Sequence, residues 1–118
     1  MRTMTITLPW PSKALQPNAR VHWAAKAKAT KQARYEACLV ATAVMRLVGW
    51  TKRERATIEY VFFDQAKRRR DRDNHLAACK AYNDGLADAG IVGNDSGFTF
   101  LPVRFEIGER RVEARVTA

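Results

Sequence analysis

The sequence has few of the residues that hold small extracellular domains together. It contains two cysteines, Cys38 and Cys79, among 118 residues. Both lie beside alanine or leucine in segments with a helical pattern, which favours two buried thiols over a disulfide. Two cysteines without further ligands also exclude a structural zinc site. We therefore predict a reducing, cytoplasmic location.

Long hydrophobic runs are also missing. Residues 1–10 lack the apolar stretch of a secretory signal peptide. No apolar run approaches the ~20 residues that a membrane-spanning helix needs, so we predict no membrane partner. Hydrophobic residues nevertheless make up 47% of the chain, which is enough for one core and too much for disorder. The length fits a single domain over residues 1–118.

Acidic residues are scarce relative to basic ones. The 12 Asp and Glu against 21 Lys and Arg leave a net charge of +9. Such an excess on a small chain usually faces a polyanion. An anionic membrane is a weaker partner than nucleic acid, because no helical pattern separates a strongly basic face from a strongly apolar one. The alternative is a basic protein whose charge serves solubility alone.

Hydrophobic patterning predicts a mixed α/β fold, with a small mixed sheet of about four strands packed by two main helices, in the order β-α-β-α-β-β. The long helix is rich in Ala, Lys, Arg and Leu, lacks Gly and Pro, and ends at Gly49; two consecutive helices are the alternative there. In chain order we predict a strand over 3–10, a helix over 21–48, a strand over 56–63, a helix over 73–89, and strands over 101–107 and 111–116.

Asp71 and Asp73 form the first candidate site. In an extended segment, residues two apart point the same way, so the two carboxylates share one side. Carboxylates this close repel each other and favour a divalent cation between them. Mg²⁺ prefers oxygen ligands and keeps several waters, so two or three Asp suffice to bind it. Asp73 also fits the N-cap of the second helix, which is the structural alternative.

A run of basic residues directly precedes this Asp pair. Basic runs are often only solvated surface, but this one adjoins candidate metal ligands. Cations that position a phosphate backbone beside a metal-binding carboxylate pair are what a phosphodiesterase needs. The residues that we predict to contact nucleic acid are Lys67, Arg68, Arg69, Arg70 and Arg72 and, on the first half of the long helix, Lys26, Lys28 and Lys31.

Four further residues have both a functional and a structural interpretation. Lys80 either holds a scissile phosphate or pairs with Asp84 one helical turn on. Asp95 follows the second helix in a glycine-rich loop, where an ordinary turn Asp is expected, and its spacing does not bring it near Asp71. His22 and His75 are candidates for general acid–base work or ordinary surface residues.

The chain resembles the RusA family of Holliday-junction resolvases over nearly its whole length. The most specific part of the resemblance is Asp-x-Asp-Asn followed by a helical Lys and an Asp in the next loop. The interval from Asp73 to Lys80 is longer than in some members. The matching segments are Leu8-Pro9-Trp10-Pro11-Ser12, Arg69-Arg70-Asp71-Arg72-Asp73-Asn74, Lys80-x-x-x-Asp84-Gly85-Leu86, and Gly90 followed by Asn94-Asp95-Ser96.

The resemblance implies a crossover junction endodeoxyribonuclease that uses Mg²⁺. In that family three Asp bind the metal and carry catalysis, and a helical Lys is important for cleavage. By position these are Asp71, Asp73, Asp95 and Lys80. The resemblance also implies a mixed α/β fold and a homodimer that nicks four-way junctions in paired, symmetric fashion. RusA-like proteins commonly come from phages and prophages, and recombination, repair and debranching of phage DNA all fit.

Two alternatives from the residues themselves stay open. One is a basic nucleic-acid-binding phage protein without catalysis, which would share the charge. The other is a nuclease that acts mainly on flaps, forks or RNA. Charge and spacing alone predict metal-assisted chemistry on a polyanion, and the branched-DNA substrate comes from the resemblance.

Overall fold

A computed structural model describes residues 2–66 and 72–118, with the backbone only for Arg72 and Asp73. It confirms a mixed α/β fold with a small mixed sheet. The helices are α1 (Trp23–Val48), α2 (Arg72–Ala78) and α3 (Lys80–Asp88), with short 3-10 helices at Lys13–Leu15 and Asp95–Gly97. The strands are β1 (Thr3–Leu8), β2 (Ala56–Asp64), β3 (Phe98–Phe100), β4 (Arg104–Ile107) and β5 (Arg111–Thr117).

The sheet is organised around β2. On one edge β2 pairs antiparallel with β5, which in turn pairs antiparallel with β1. The other edge of β2 pairs in parallel with both β3 and β4. Since β1 and β2 are both antiparallel to β5, they run in the same direction. Their carboxyl ends therefore lie at the same end of the sheet, where the indole Nε1 of Trp10 donates to the Phe63 carbonyl at 3.0 Å.

The long basic segment forms one helix. Its amino end is capped by His22, whose Nδ1 accepts a hydrogen bond from the Ala24 amide. Its carboxyl end is Gly49, which takes the left-handed conformation (φ 66°) as predicted. The Arg2 guanidinium donates to the Val48 carbonyl, so α1 ends beside the start of β1. The first half of α1 consequently lies toward the end of the sheet where β1 and β2 finish.

The prediction of one continuous helix over 73–89 is wrong, because the chain breaks at Cys79 into α2 and α3. Cys79 has φ −86° and ψ 2°, and its amide donates to the Leu76 carbonyl, three residues back. The break allows α2 to pack on aromatic side chains near the end of β2 while α3 packs across α1. Asp73 and Asp88, near the two ends of the predicted helix, therefore do not lie on one continuous helix.

The strand predicted over 101–107 is present but shorter, since β4 begins only at Arg104, and β3, which precedes it, was not predicted. The two short strands share one edge of β2. Between them, Pro102 lacks the amide hydrogen that a continuous ladder needs. The Leu101 amide still donates to the Ile58 carbonyl at 2.9 Å, so the chain stays close to β2 through the interruption.

The core lies between the helices and one face of the sheet. Two tyrosine hydroxyls enter it with partners. Tyr60 donates to Asn83 Oδ1 at 2.6 Å, and Tyr82 donates to the Pro9 carbonyl at 2.7 Å. Burial raises the pKa of both phenols. The sheet contributes Met4, Ile6 and Leu8 from β1, Ile58, Tyr60 and Phe62 from β2, and Val112, Ala114 and Val116 from β5.

Both cysteines are free, as predicted. Cys79 is fully buried, and burial raises the pKa of its thiol well above the usual range. Cys38 is only half-buried, so the prediction of two buried thiols holds for Cys79 alone.

The closest approach of α3 to α1 depends on Gly85. A Cβ atom at Gly85 would overlap the Arg34 carbonyl oxygen and lie 2.8 Å from the Ala37 Cβ. We expect Gly85→Ala to push the helices apart and lower the free energy of unfolding by about 2 kcal/mol. Urea denaturation followed by circular dichroism measures the change.

Gly93→Ala is the matched control, because no atom lies within 4 Å of the corresponding Cβ position. It should leave the urea midpoint nearly unchanged. Equal midpoints for the two variants would contradict the close helix contact.

Candidate functional site

A cluster of aromatic and charged side chains occupies the carboxyl end of β2. The Arg110 guanidinium lies over the Trp10 ring, 3.9 Å from its centroid, and approaches Asp64 Oδ2 at 3.3 Å. The turn between β4 and β5 is held to the same strand end, since the Gly108 amide donates to the Asp64 carbonyl at 2.9 Å. An arginine and a carboxylate are thereby fixed beside the start of the 65–71 segment.

His75 packs α2 onto this cluster. Its ring meets Trp10, Phe62 and Phe105 edge-on, with centroid distances of 5.8, 5.0 and 5.1 Å. Edge-to-face aromatic contacts of this kind stabilise packing beyond the area that they bury. His75 thus anchors α2 at the carboxyl end of β2, and its half-buried ring has a structural role there.

Among the described residues, no helix packs on the outer face of the sheet, and the charges there compensate one another. Arg104 lies 2.8 Å from Glu106 and 3.4 Å from Glu59. Glu113 lies between Arg111 and Arg115, at 3.1 and 3.0 Å. Three arginines face three glutamates, so these six side chains together carry no net charge. The excess of +9 therefore comes from other residues.

Part of that excess lies on the first half of α1. Lys26, Lys28 and Lys31 are exposed, and none of them makes an ion pair within the described residues. Arg34 is different, because its guanidinium binds both Asp88 oxygens at 2.6 and 2.9 Å. This hydrogen-bonded pairing raises the pKa of Arg34 and lowers that of Asp88. Within the first half of α1, the three lysines are therefore the cations that stay available to a polyanion.

Several of the predicted site residues lie outside the part of the chain that the structure describes. Asp71 and the basic run Lys67, Arg68, Arg69 and Arg70 lie in the undescribed segment, and the side chains of Arg72 and Asp73 are not described. The backbones of Arg72 and Asp73 open α2, next to the His75 contacts at the carboxyl end of β2. Within the described ranges, no cluster of three or more His, Cys, Asp or Glu could hold a metal.

Lys80 and Asp95 lie in different surroundings. Lys80 is exposed at the start of α3, on the far side of the break at Cys79, and makes no ion pair with Asp84 in the described part of the chain. Asp95 is exposed in a 3-10 helix whose preceding Asn94 caps it through a hydrogen bond from the Ser96 amide at 3.1 Å. Among the described residues Lys80 therefore lacks the ion pair that its structural alternative required, whereas Asp95 lies in a turn, as its structural alternative expected.

The structure separates Asp95 from the start of α2. Asp95 immediately precedes β3, where Phe98 pairs with Ala56 at the amino end of β2. His75 contacts Phe62, near the other end of β2. The stretch from Ala56 to Phe62 is about 20 Å long at roughly 3.3 Å per residue. Within one chain, Asp95 and the α2 start therefore lie at opposite ends of the sheet.

Sequence reasoning missed Asp64 and Arg110. Asp64 ends a buried strand one short segment before Asp71, and a carboxylate at a strand end is a signal that could have been used. Arg110 gave no such signal, because its position over Trp10 depends on the pairing of β4 and β5 with β2.

No known protein family's sequence profile matches the chain. A relative from Xylella fastidiosa, described as an uncharacterized protein, is 44% identical over 90 residues, which cover 72% of this chain. The match covers 56% of that protein, so the chain spans about half the length of the curated relative it matches. Among the described residues, none of the helices combines the length and apolarity needed to cross a membrane.

Replacing Glu113 tests whether the ion pairs on the outer face of the sheet stabilise the fold. Burial alone would raise its pKa, but hydrogen bonds from Arg115 and Arg111 and their charges lower it below the ordinary 4.5. A lowered carboxyl pKa stabilises the fold above that ordinary value, and the contribution is lost as the pH falls through the lowered pKa. We expect Glu113→Gln to lower the free energy of unfolding by about 1 kcal/mol at pH 7.

The difference between Glu113→Gln and the wild type should shrink as the pH falls below 4.5. Urea denaturation at a series of pH values measures it. Glu109→Gln, a change of the same charge at an exposed turn, is the control and should behave as wild type. A difference that stays constant down to acid pH would contradict the ion-pair explanation.

Proposed function

We propose that this protein is a Mg²⁺-dependent endodeoxyribonuclease that cuts branched DNA, as its resemblance to the RusA family implies. The observation that supports the proposal is the position of the backbones of Arg72 and Asp73. They open α2 near the carboxyl end of β2, at the same end of the sheet as the unpaired lysines of α1. Carboxylates beside available cations are the combination that hydrolysis of a phosphodiester requires.

The donor set fits magnesium. Asp71 and Asp73 offer only carboxylate oxygens, which suit a hard cation that keeps part of its water shell. A bound Mg²⁺ would supply a water of lowered pKa and polarise the scissile phosphate. Lys80 would stabilise negative charge on the phosphoryl oxygens. Lys67 to Arg70 and Arg72 would hold the phosphate backbone together with the lysines of α1.

Selectivity for branched DNA would come from two copies of the chain. Phosphate contacts fix position and orientation but carry little base information. A homodimer places two active sites in a fixed relation, so four-way junctions could be nicked symmetrically. We place this activity in the cytoplasm of a bacterial host, with a phage or prophage source, and in recombination, repair or debranching of phage DNA.

We propose further that Asp95 serves the active site of the second copy. The family resemblance assigns Asp95 to the metal together with Asp71 and Asp73, yet about 20 Å of β2 lies between Asp95 and the start of α2 within one chain. A dimer that apposes opposite ends of two sheets would resolve this. Each active site would then combine Asp71 and Asp73 of one protomer with Asp95 of its partner.

Asp73→Asn tests the nuclease proposal. The amide keeps the shape of the side chain but removes the charge that holds a divalent cation. We expect junction binding in EDTA to be retained and cleavage in Mg²⁺ to fall by at least about a hundredfold. Labelled four-way junctions, flaps, forks, duplexes and RNA should be compared as substrates.

The control for this experiment is Glu109→Gln, which removes one exposed carboxylate from a surface turn and should cut normally. Normal cleavage by Asp73→Asn would rule out Asp73 as a metal ligand. Wild-type binding without cleavage of any substrate would instead support a non-catalytic nucleic-acid-binding protein. Preferential cleavage of flaps, forks or RNA would indicate that one of these, and not the four-way junction, is the main substrate.

A mixing experiment tests the shared active site. Asp73→Asn and Asp95→Asn, each inactive alone, are combined under conditions that exchange subunits. If the sites are shared, each mixed dimer keeps one complete site, and nicking activity returns. If each chain forms its own site, both sites of the mixed dimer are damaged and the mixture stays inactive.

A further inference from the structure

The first half of α1 exposes two large aromatic side chains. Trp23 is 77% exposed and Tyr35 is 65% exposed. Side chains of this size normally bury most of their surface in a fold or an interface. The core-facing side of α1 is provided by Ala37 and Ala41, so neither ring is needed to pack the helix. Their exposure requires a different explanation.

The two rings belong to one row of the helix surface. Trp23, Ala27, Lys31 and Tyr35 follow one another at intervals of four residues, which places them along a continuous ridge. The row is about 18 Å long at 1.5 Å per residue. The small Ala27 and the flexible Lys31 leave space between the rings.

Two shallow grooves adjoin this ridge and share Lys31 and Arg34. Trp23 lines one groove, together with Lys26 and Thr30. Tyr35 lines the other, together with Lys28. Each groove therefore combines an aromatic wall with lysines. Arg34, held by both oxygens of Asp88, forms a fixed point where the grooves meet.

We propose that these grooves bind single-stranded DNA, with bases stacked on Trp23 and Tyr35 and phosphates along Lys26, Lys28 and Lys31. Every base has a flat face, so a row of exposed rings beside cations accepts unpaired nucleotides with little sequence preference. The His22 ring, 5.4 Å from Trp23 and tilted by 34°, extends the stacking surface at the amino end.

The positive charge of the grooves favours single-stranded DNA over a second copy of the chain as the molecule that binds there. Two copies packed through these grooves would bring six unpaired lysines together, and like charges in a desolvated interface are unfavourable. A nucleic acid strand neutralises the same lysines and releases counterions. The inference rests on the proposed function only in taking DNA as the substrate, and it adds a contact with the unpaired bases at branch points.

The test compares two ligands in EDTA, where no cleavage occurs. A labelled dT oligonucleotide offers bases and phosphates, while an abasic strand of the same length offers phosphates alone. We expect the wild type to bind the dT strand about five- to a hundredfold more tightly, and Trp23→Ala and Tyr35→Ala each to remove much of this difference. Fluorescence anisotropy at several salt concentrations measures both affinities.

Three variants complete the design. Trp23→Phe keeps an aromatic face and should keep most of the preference for dT. Leu47→Ala changes an 85% exposed side chain on α1 outside both grooves and should change nothing. Lys28→Gln should lower the affinity for both ligands equally. It should also reduce the slope of log affinity against log salt concentration by about 0.7, as expected for one lost phosphate contact.

Equal affinity of the wild type for dT and abasic strands would overturn the inference. Trp23→Ala behaving like Leu47→Ala would do the same. Loss of a dimer in sedimentation of Trp23→Ala, with unchanged oligonucleotide affinity, would assign the grooves to a second copy instead. All these binding measurements are made without magnesium. Normal cleavage by Asp73→Asn would therefore contradict the proposed metal site without affecting the conclusion about single-stranded DNA binding.

Discussion

The pairing of β2 along both edges is the constraint on which the rest of the structure depends. One edge pairs with β5 from Thr57 to Phe63, and the other is shared by β3 and β4. A nine-residue strand is long enough for two short parallel partners placed one after the other. The chain can therefore pass Pro102 without leaving the edge of β2, and it then turns at Gly108 to form β5. Each connection that carries a candidate site begins or ends at one of the ends of β2.

This arrangement places the candidate functional residues at opposite ends of the sheet. The carboxyl ends of β1 and β2 lie together, so the segments that lead into α1 and α2 leave from the same end of the sheet. The three unpaired lysines of α1 and the backbone of Asp73 consequently share that end. A parallel connection must return the chain to the start of β2 before β3 can pair, and this return carries Asp95 away. Topology thus explains why Asp95 lies far from the start of α2 in a single chain.

The hydrophobic periodicity of the sequence was sufficient to predict a helix or strand where one face of that element is buried and no tertiary contact interrupts the element. The alternation of Met4, Ile6 and Leu8 predicted β1, and Gly49 predicted the end of α1. It failed where a distant contact sets the local conformation. The break at Cys79 depends on α2 packing on Phe62 while α3 crosses α1 at Gly85, and sequence spacing contains neither contact. The position of Arg110 over Trp10 likewise depends on strands far apart in sequence, so this part of the candidate site could not be predicted.

The ion pairs of the outer sheet face connect packing with electrostatics. Val61 and Phe63 point to that face without a helix above them, yet both are buried. The Arg111 guanidinium covers the Phe63 ring at 3.8 Å, and Val61 lies between Arg104 and Glu113 in the strand register. Long charged side chains cover apolar surface with their stems while their heads pair with one another. Because these pairs balance one another, the six side chains add nothing to the net charge of +9, which comes from other residues, the three exposed lysines of α1 among them. The same ion pairs that cover the apolar strand residues thus also neutralise the charges that cover them.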